Sequence, residues 1–571
     1  TITHIKDGKA KVYEVNVELA EAIASMDREA LPGVIKFLSL PATTLRTGAI
    51  LSPDFMARNI VRDTVSATIF SKDGFIPVID TFRGMALILG KTNAYKDWAA
   101  SGGMFAHMQA VDRVYLQKGM KQLLTTIPMR NVLYNPIEML RAIGALSEQG
   151  TRVAVFERRM RKAQKKGKSR IEAMTEAGFE SRDITLDFQR FGAKGRSFNS
   201  MAVFLNAWAQ GMDKTARAFK DNPVLMTTKV IGGIAIPSAV LHIINMDEKD
   251  PQGRYWYREL PSWQRDLFWH FSVGEEKNFT IYKVPKPFEL GLIFGTGTER
   301  FIDYIKDVDP KALKTFAKSM GKSLVPNLLP TFLTVPIEIY SNKSIFFDRP
   351  VVPRAREGML PEYQHGIYTS EVAKEIGSVV QKLPGSRMSK LASPAVIEHA
   401  IRGWTGGLGG YALKAIDAAL EEVGLVDDSI IPPEKTLADI PLVKAFVARY
   451  PTASTKNVED FYDNYEKIGR FTDSYKALMR EGRVTEAQQV FGEQRSAGLM
   501  LRIDSYKNMI SGYSKMIRRI NLLPRMKGMS DQQLARWKRE NIDAYYHQIN
   551  SAAAAGNKMI LQMQKNSASE E

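Results

Sequence analysis

The sequence predicts a mostly α, multi-helical protein with a loop- and proline-rich central hub and long C-terminal helices. Apolar residues recur at helical spacing along many stretches, for example between Pro53 and Phe70, whereas the alternation typical of half-buried strands is rare. The apolar side chains of that example are Phe55, Met56, Ile60, Val61 and Val65. Between residues 255 and 410, proline and glycine interrupt the pattern repeatedly, which indicates short helices and loops.

We divide the chain into consecutive regions on this basis. They are an N-terminal linker and helix (1–50), a helical domain (51–222), the hub (223–422), a linker (423–440) and a C-terminal domain of long helices (441–571). Helices are predicted over 12–26, 53–70, 75–90, around 112–122, 135–177 and 199–220, with a tight turn at 102–103. The first residue, Thr1, is not methionine and no signal-peptide core follows it, so we expect a processed chain or one part of a longer polypeptide.

The C-terminal domain carries two local signals. Ser530 with Gln533 has the spacing of a capping box, which predicts that the last helix begins there. The alanines from Ala552, followed by Gly556, indicate either a close helix contact or a thinning tail.

Composition limits the chemistry. The 571 residues are long enough for roughly three or four helical subdomains, and an apolar fraction of 44% with 25% charged residues is that of a globular protein. The chain contains no cysteine, which excludes disulfides, thiolate metal sites and thiol catalysis. A net charge of +17 favours anionic partners such as nucleic acid or phospholipid.

The strongest charge feature lies on the helix predicted over 135–177. Its basic residues are Arg158, Arg159, Arg161, Lys162, Lys165, Lys166, Lys168 and Arg170, with Glu157 as the nearby acidic residue. Such a run contacts the phosphates of DNA or the head groups of anionic lipid in many proteins. The plainer interpretation, a solvated helix face, is the default. No aromatic residue lies between Arg158 and Arg170, so the run does not indicate base stacking.

The strongest apolar feature is the uncharged segment 230–246. Its candidate envelope-contact residues are Val230, Ile231, Ile234, Ile236, Val240, Leu241, Ile243 and Ile244. The segment is shorter than the usual bilayer span of about 20 residues and contains Pro237, His242 and Asn245. A buried core helix is therefore the default interpretation, and a segment that enters or lines a membrane is the alternative.

Motifs for catalysis are missing or incomplete. The Gly-Lys-Ser triplets at 167–169 and 321–323 lack the glycine that a phosphate-binding loop needs five residues earlier. The seven histidines show no zinc-type spacing, and no Gly-x-Ser-x-Gly elbow occurs. We therefore predict no enzyme activity, no catalytic residue, no metal site and no cofactor.

Several motifs in a fixed order carry a family resemblance. They are 257–263, 285–291, Asn342 with 347–351, and 393–409, together with 199–211 upstream. Between about residues 50 and 411 the chain resembles a region of large bacteriophage polyvalent and internal virion proteins, the large polyvalent protein-associated domain. The part beyond residue 440 resembles no family that we can name.

The resemblance implies a structural protein carried inside the virion, often as the C-terminal part of a very long chain. Such a protein is ejected with the genome and forms part of an oligomeric DNA-translocation conduit across the host envelope. The implied partners are further copies of the chain, other ejection proteins, portal or tail proteins, double-stranded DNA without sequence preference, and the host envelope. The implied location is the virion, inside the capsid or tail, and after ejection the host envelope or periplasm.

Two alternatives remain open at this point. One alternative is a non-catalytic C-terminal tethering domain of a packaged virion enzyme, either an RNA polymerase or a cell-wall hydrolase. The other is a static internal core protein that packs on the portal.

Overall fold

The computed structural model confirms a mostly α fold, since 74% of it is helical and its strands are few and short. It describes residues 2–6, 9–13, 33–103, 136–186, 198–275, 278–306, 312–324, 328–347, 349–383, 389–424, 430–492 and 497–568. Within those residues the strands form three two-stranded antiparallel hairpins.

The elements of the first half of the chain run in the following order. They are β1 (Ile2–Lys6), β2 (Lys9–Tyr13), α1 (Gly33–Ile50), α2 (Pro53–Phe70), α3 (Ile79–Leu89), α4 (Asn93–Ala100), α5 (Pro136–Lys165), α6 (Arg170–Asp183), α7 (Leu205–Asp221) and α8 (Pro223–Asp247). Helix α8 contains a π-helical segment, Ile231–Ala235.

The hub and the C-terminal helices follow. They are α9 (Trp256–Glu259), α10 (Ser262–Leu267), β3 (Phe268–Val273), β4 (Thr280–Pro285), α11 (Gly297–Ile305, preceded by the π-helical Gly291–Thr296), α12 (Ala312–Leu324), α13 (Thr331–Ser341), β5 (Lys343–Ser344), β6 (Arg349–Pro350), α14 (Glu371–Lys382), α15 (Pro394–Glu422), α16 (Lys456–Arg480), α17 (Val484–Gly492), α18 (Ala497–Asn521) and α19 (Asp531–Ala568).

Several boundary predictions need correction. The single helix predicted over 135–177 is two helices, α5 and α6, because Gly167 adopts a left-handed φ of 80° and Ser169 starts α6 with a capping box. Of the helix predicted over 12–26, residues 12 and 13 lie in strand β2 and the remainder lies outside the described residues. The helix predicted around 112–122 also lies outside them. The helix predicted over 199–220 starts later, at Leu205, after Phe204 with a φ of 66°.

Two signals in the C-terminal part are confirmed. The Ser530 hydroxyl accepts the backbone N–H of Gln533 at 3.2 Å, and the Gln533 side chain accepts the Ser530 N–H at 2.9 Å. Gly556 marks a close helix contact, because a Cβ there would lie 2.6 Å from the Phe461 ring.

The chain divides into two compact units, each built from more than one stretch. The first comprises Thr1–Leu51, Ser66–Ala218 and Pro326–Leu333. Its core lies between α3, α4, α5 and α6 around the fully buried Trp98 and Phe156. Helices α3 and α5 approach so closely that a Cβ on Gly84 would lie 1.8 Å from the carbonyl oxygen of Gly150.

The second unit comprises Ser52–Val65, Phe219–Val325 and Thr334–Glu571 and contains the hub and the C-terminal helices. Helices α16, α18 and α19 bury residues at seven-residue spacing, including Ile503, Ile510 and Ile517 on α18. A seven-residue repeat keeps one apolar seam between helices that wind gently around each other. This bundle meets the hub through Ile367, which packs against the core of the bundle.

Two glutamates sit where the hub meets the bundle. The Tyr450 hydroxyl lies 3.2 Å from Glu259 and 2.9 Å from Asp250, and Glu459 accepts the backbone N–H of Ser262 at 3.4 Å. Burial raises the pKa of Glu259 to about 7 and the pKa of Glu459 to about 7.

We predict that this junction loses stability as the pH rises through 7. Because both folded-state pKa values lie above the ordinary 4.5, the folded protein binds more protons than the unfolded chain between pH 4.5 and 7. Between pH 5 and pH 8 each glutamate should lower the free energy of unfolding by about 2–3 kcal/mol, so the two together lower it by about 5 kcal/mol. Urea unfolding at the two pH values measures the change, and Glu459→Gln, which stays neutral, should show a smaller one. Equal pH dependence in the variant would contradict the assignment.

Candidate functional site

Between Val230 and Met246, helix α8 combines an uncharged exposed face with a buried stripe on the other side. Within the described residues it is the one helix long and apolar enough to cross a membrane. A core helix of a soluble protein passes the same test of length and composition, but such a helix is mostly buried, and only 22% of the most apolar window here is buried. The default prediction of a buried core helix is therefore wrong.

The candidate envelope-contact residues divide between the two sides of α8. Ile231, Ile236, Val240, Ile243 and Ile244 are exposed, by between 42% and 57%. Leu241 is half-buried. Val230 and Ile234 are buried at 1% and 0% exposure, so these two residues are not available for contact as the chain is folded here. Ile234 packs against the hub, because its side chain would lie 3.4 Å from a Cβ on Gly295. From here on, the hub means the part of 223–422 that follows α8.

The polar residues of α8 between Val230 and Met246 lie on the buried stripe. Ser238 accepts the indole N–H of Trp269 at 2.7 Å, and the Asn245 amide donates to the carbonyl oxygen of His270 at 2.7 Å. Between them, Nε2 of His242 donates to Asp303 at 2.8 Å. Apolar side chains thus face solvent while polar ones face protein, the reverse of a soluble surface helix. In membrane proteins this arrangement is common, because polar side chains of a spanning helix face the protein interior.

A network of buried charges lies beneath this stripe. Asp303 also forms salt bridges with Arg265 at 3.3 Å and with Arg300 at 3.4 Å. Arg300 forms a further salt bridge with Asp266. Beside it, Lys286 donates to Glu299 at 2.8 Å, with side-chain exposures of 1% and 2%. The network holds three basic and three acidic side chains, so its formal charge balances. Balanced, hydrogen-bonded charges are the form in which burial is tolerated.

The pKa shifts follow from the same burial. Burial alone would raise the pKa of Asp303, but the hydrogen bond from His242 and the charges of Arg265 and Arg300 outweigh it and lower that pKa. Burial lowers the pKa of Lys286, an effect that the neighbouring Glu299 opposes. Burial also lowers the pKa of His270 well below its usual value, helped by nearby Lys286 and Lys283. His270 is therefore neutral at physiological pH.

Two helical irregularities meet at the contact between α8 and the hub. The π-helical segment of α8 packs near the π-helical segment Gly291–Thr296 that precedes α11. A Cβ on Gly295 would lie 2.8 Å from the Ser238 hydroxyl, so a larger residue fits there only if the Ser238 side chain shifts. π-Helical segments occur frequently at functional sites, because each adds one residue that the regular helix does not accommodate.

The basic run lies in the first unit and is largely paired with carboxylates from other elements. The pairs are Arg158 with Asp80, Arg159 with Asp73, Glu176 and Glu180, Arg161 with Glu157, Lys162 with Asp73, Lys168 with Glu176, and Arg170 with Asp97. Only Glu157 was expected from the local sequence. Lys165 and Lys166 are exposed and carry no carboxylate partner within the described residues.

Sequence reasoning missed the buried network. Its members stand on α8, α10, α11 and the segment after β4, and His242 and Asp303 are 61 residues apart. The available signal was the unusual presence of Ser238, His242 and Asn245 at a four- and three-residue spacing within an otherwise apolar segment. Within the described residues, no group of three or more His, Cys, Asp or Glu side chains is placed to hold a metal ion.

We predict that the buried charges behave as pairs. Lys286→Met leaves the Glu299 carboxylate buried and unpaired, so the free energy of unfolding should fall by about 3–5 kcal/mol. The double variant Lys286→Met/Glu299→Leu removes both charges and should recover most of that loss. Chemical denaturation measures both values. A double variant as unstable as the single one would contradict the pairing.

The comparisons with known proteins agree with the central part of the sequence analysis. Residues 254–443, a third of the chain, match the family model described as large polyvalent protein associated domain 38. No curated protein matches the chain, and no solved structure matches it. The resemblance expected upstream, including 199–211, lies outside the match. Over residues 254–443 the chain is thus similar to a phage-associated family of large polyvalent protein domains, a match that covers the six buried charged residues of the network but not helix α8.

Proposed function

We propose that the protein is a bacteriophage internal virion protein that is ejected with the genome and contributes to an oligomeric conduit for DNA across the host envelope. In this proposal it acts as a structural protein without catalysis, and helix α8 is the part that meets the envelope bilayer. The single observation that carries the proposal is the outward apolar face of α8 over a buried polar stripe. The match to a phage-associated family supports the setting.

The two faces of α8 favour different solvents. Exposed apolar side chains on a helix of 25 residues are unfavourable in water and favourable in hydrocarbon. No Asp, Glu, Lys or Arg lies between Val230 and Met246, so no charge on that face opposes entry. The net charge of +17 adds attraction to anionic lipid and to DNA.

We predict that the protein floats with phosphatidylcholine vesicles in high salt, where attraction between charges is screened. Ile236→Glu/Val240→Glu places two charges on the exposed face and should reduce the bound fraction by at least about tenfold, since each charge costs on the order of 3 kcal/mol in a bilayer. The control is Val379→Glu, because Val379 is 58% exposed on α14 of the same unit. Equal binding by the variant, with unchanged thermal melts, would contradict the role of α8.

The basic run gives a prediction about DNA binding. Lys165 and Lys166 are the members of the basic run best placed for phosphates, because the other members have carboxylate neighbours. If they contact duplex DNA, Lys165→Gln/Lys166→Gln should reduce the slope of log affinity against log salt by about 2, at roughly 0.9 per phosphate contact.

The matched control for DNA binding is Lys467→Gln/Lys476→Gln on α16, which removes the same charge from another exposed surface. Fluorescence anisotropy with a labelled duplex gives both slopes. An unchanged slope for the 165/166 variant, or equal changes in the two variants, would remove the basic run from the DNA path.

A further inference from the structure

The hub prevents α8 from being surrounded by lipid in its present position. Asp303, which accepts from His242, belongs to a network that includes Arg265, Arg300, Lys286 and Glu299. Ionised side chains are costly in hydrocarbon, and moving this whole group into a bilayer would multiply that cost. Lipid can therefore reach all sides of α8 only if the helix separates from the network.

Separation would expose three polar groups of α8. Ser238, His242 and Asn245 lie at positions i, i+4 and i+7, which places them on one face of the helix. Each loses its partner when Trp269, Asp303 and the His270 carbonyl oxygen are left behind. A serine hydroxyl can bond to a carbonyl of its own helix, but the imidazole and the carboxamide need other partners. An unsatisfied polar group in hydrocarbon costs several kcal/mol.

From this geometry we infer that α8 leaves the hub on meeting a bilayer, and that the stripe Ser238–His242–Asn245 becomes the face through which copies of α8 associate. The inference rests on the proposed function, since it requires that α8 meets lipid. Polar side chains and small residues commonly join spanning helices. The partner is a second copy of this chain, because equivalent stripes offer one another both donors and acceptors. The opposite face, with Ile236, Val240 and Ile244, then faces lipid.

Both ends of α8 are sharp boundaries of the helix. At its start, Asn222 caps the helix and Pro223 occupies the first turn, which separates α8 from the preceding helix α7. At its end, Glu248 is extended. Within the helix, a Cβ on Gly232 of the π-helical segment would meet no atom within 4 Å, so packing on the hub does not require glycine there. Reorientation of the helix would also break the hydrogen bond from Arg258 to the Met246 carbonyl oxygen (2.8 Å) and the ion pair of Arg258 with Asp247 (3.3 Å).

The absence of cysteine permits a direct test by a reversible lock. A Cβ on Gly295 lies 2.8 Å from the Ser238 hydroxyl, so Ser238→Cys/Gly295→Cys places two thiols within reach of each other across the contact. The oxidised and the reduced protein are each mixed with phosphatidylethanolamine–phosphatidylglycerol vesicles and digested with a broad-specificity protease. Mass spectrometry then identifies protected peptides.

The reduced protein should protect a peptide spanning 223–247, and oxidation should abolish that protection while vesicle binding persists. Equal protection in both forms would overturn the inference, because α8 would then enter lipid without leaving the hub. A wild-type protein that fails to bind vesicles at all would instead remove the proposed function. The single variants Ser238→Cys and Gly295→Cys, checked by thermal melts, control for damage to the fold.

A second measurement does not depend on the lock. Ser238 is fully buried in the hub, whereas Val240 is 50% exposed on the apolar face. In vesicles under mild oxidation, Ser238→Cys should form disulfide-linked dimers and Val240→Cys should not. Without vesicles, Ser238→Cys should remain monomeric. Dimers from Val240→Cys that equal or exceed those from Ser238→Cys would overturn the assignment of the associating face.

Discussion

The buried hydrogen bond between His242 and Asp303 is the interaction on which the central part of the molecule depends. It fixes an apolar helix to the hub through a polar group, at 2.8 Å and with almost no solvent access on either side chain. Asp303 in turn forms salt bridges with Arg265 and Arg300, so the position of α8 is coupled to the charge balance of the hub. Removing one member of such a group leaves an uncompensated charge in a poorly solvating interior. The orientation of α8, with Ile236, Ile243 and Ile244 outward, follows from this constraint.

The orientation of α8 explains both the apolar segment and the polar stripe within it, which the sequence alone does not connect. An apolar segment in a chain of +17 net charge is ordinary if it is buried, and a polar stripe is ordinary if it is exposed. Helix α8 has the opposite arrangement of both. Hydrogen bonding to the hub satisfies the stripe in water, and a bilayer would satisfy the apolar face. The polar stripe of the helix is therefore stable against protein and its apolar face is stable against lipid. Both faces are satisfied together only where protein meets lipid.

Local patterns predicted the parts of the fold that local forces decide. The apolar spacing of 53–70 and the Ser530–Gln533 capping box both correspond to elements with those boundaries, because side-chain periodicity and capping act over a few residues. The partners of the basic run were missed because Arg158 and Asp80 lie 78 residues apart. The β3–β4 hairpin was missed because aromatic and polar residues follow one another in Phe268–Val273 without clear alternation. The buried network joins four separate stretches, and no periodicity in the sequence encodes that meeting.

The measurement that tests the account most directly is mass spectrometry of envelope fractions from infected cells, digested with protease before detergent is added, beside intact and emptied phage particles. The account predicts that the chain disappears from emptied particles, reaches the envelope fraction, and is protected there over residues 223–247. Retention of the chain in emptied particles, with no protected peptide in the envelope, would contradict it and would favour a fixed element of the virion core.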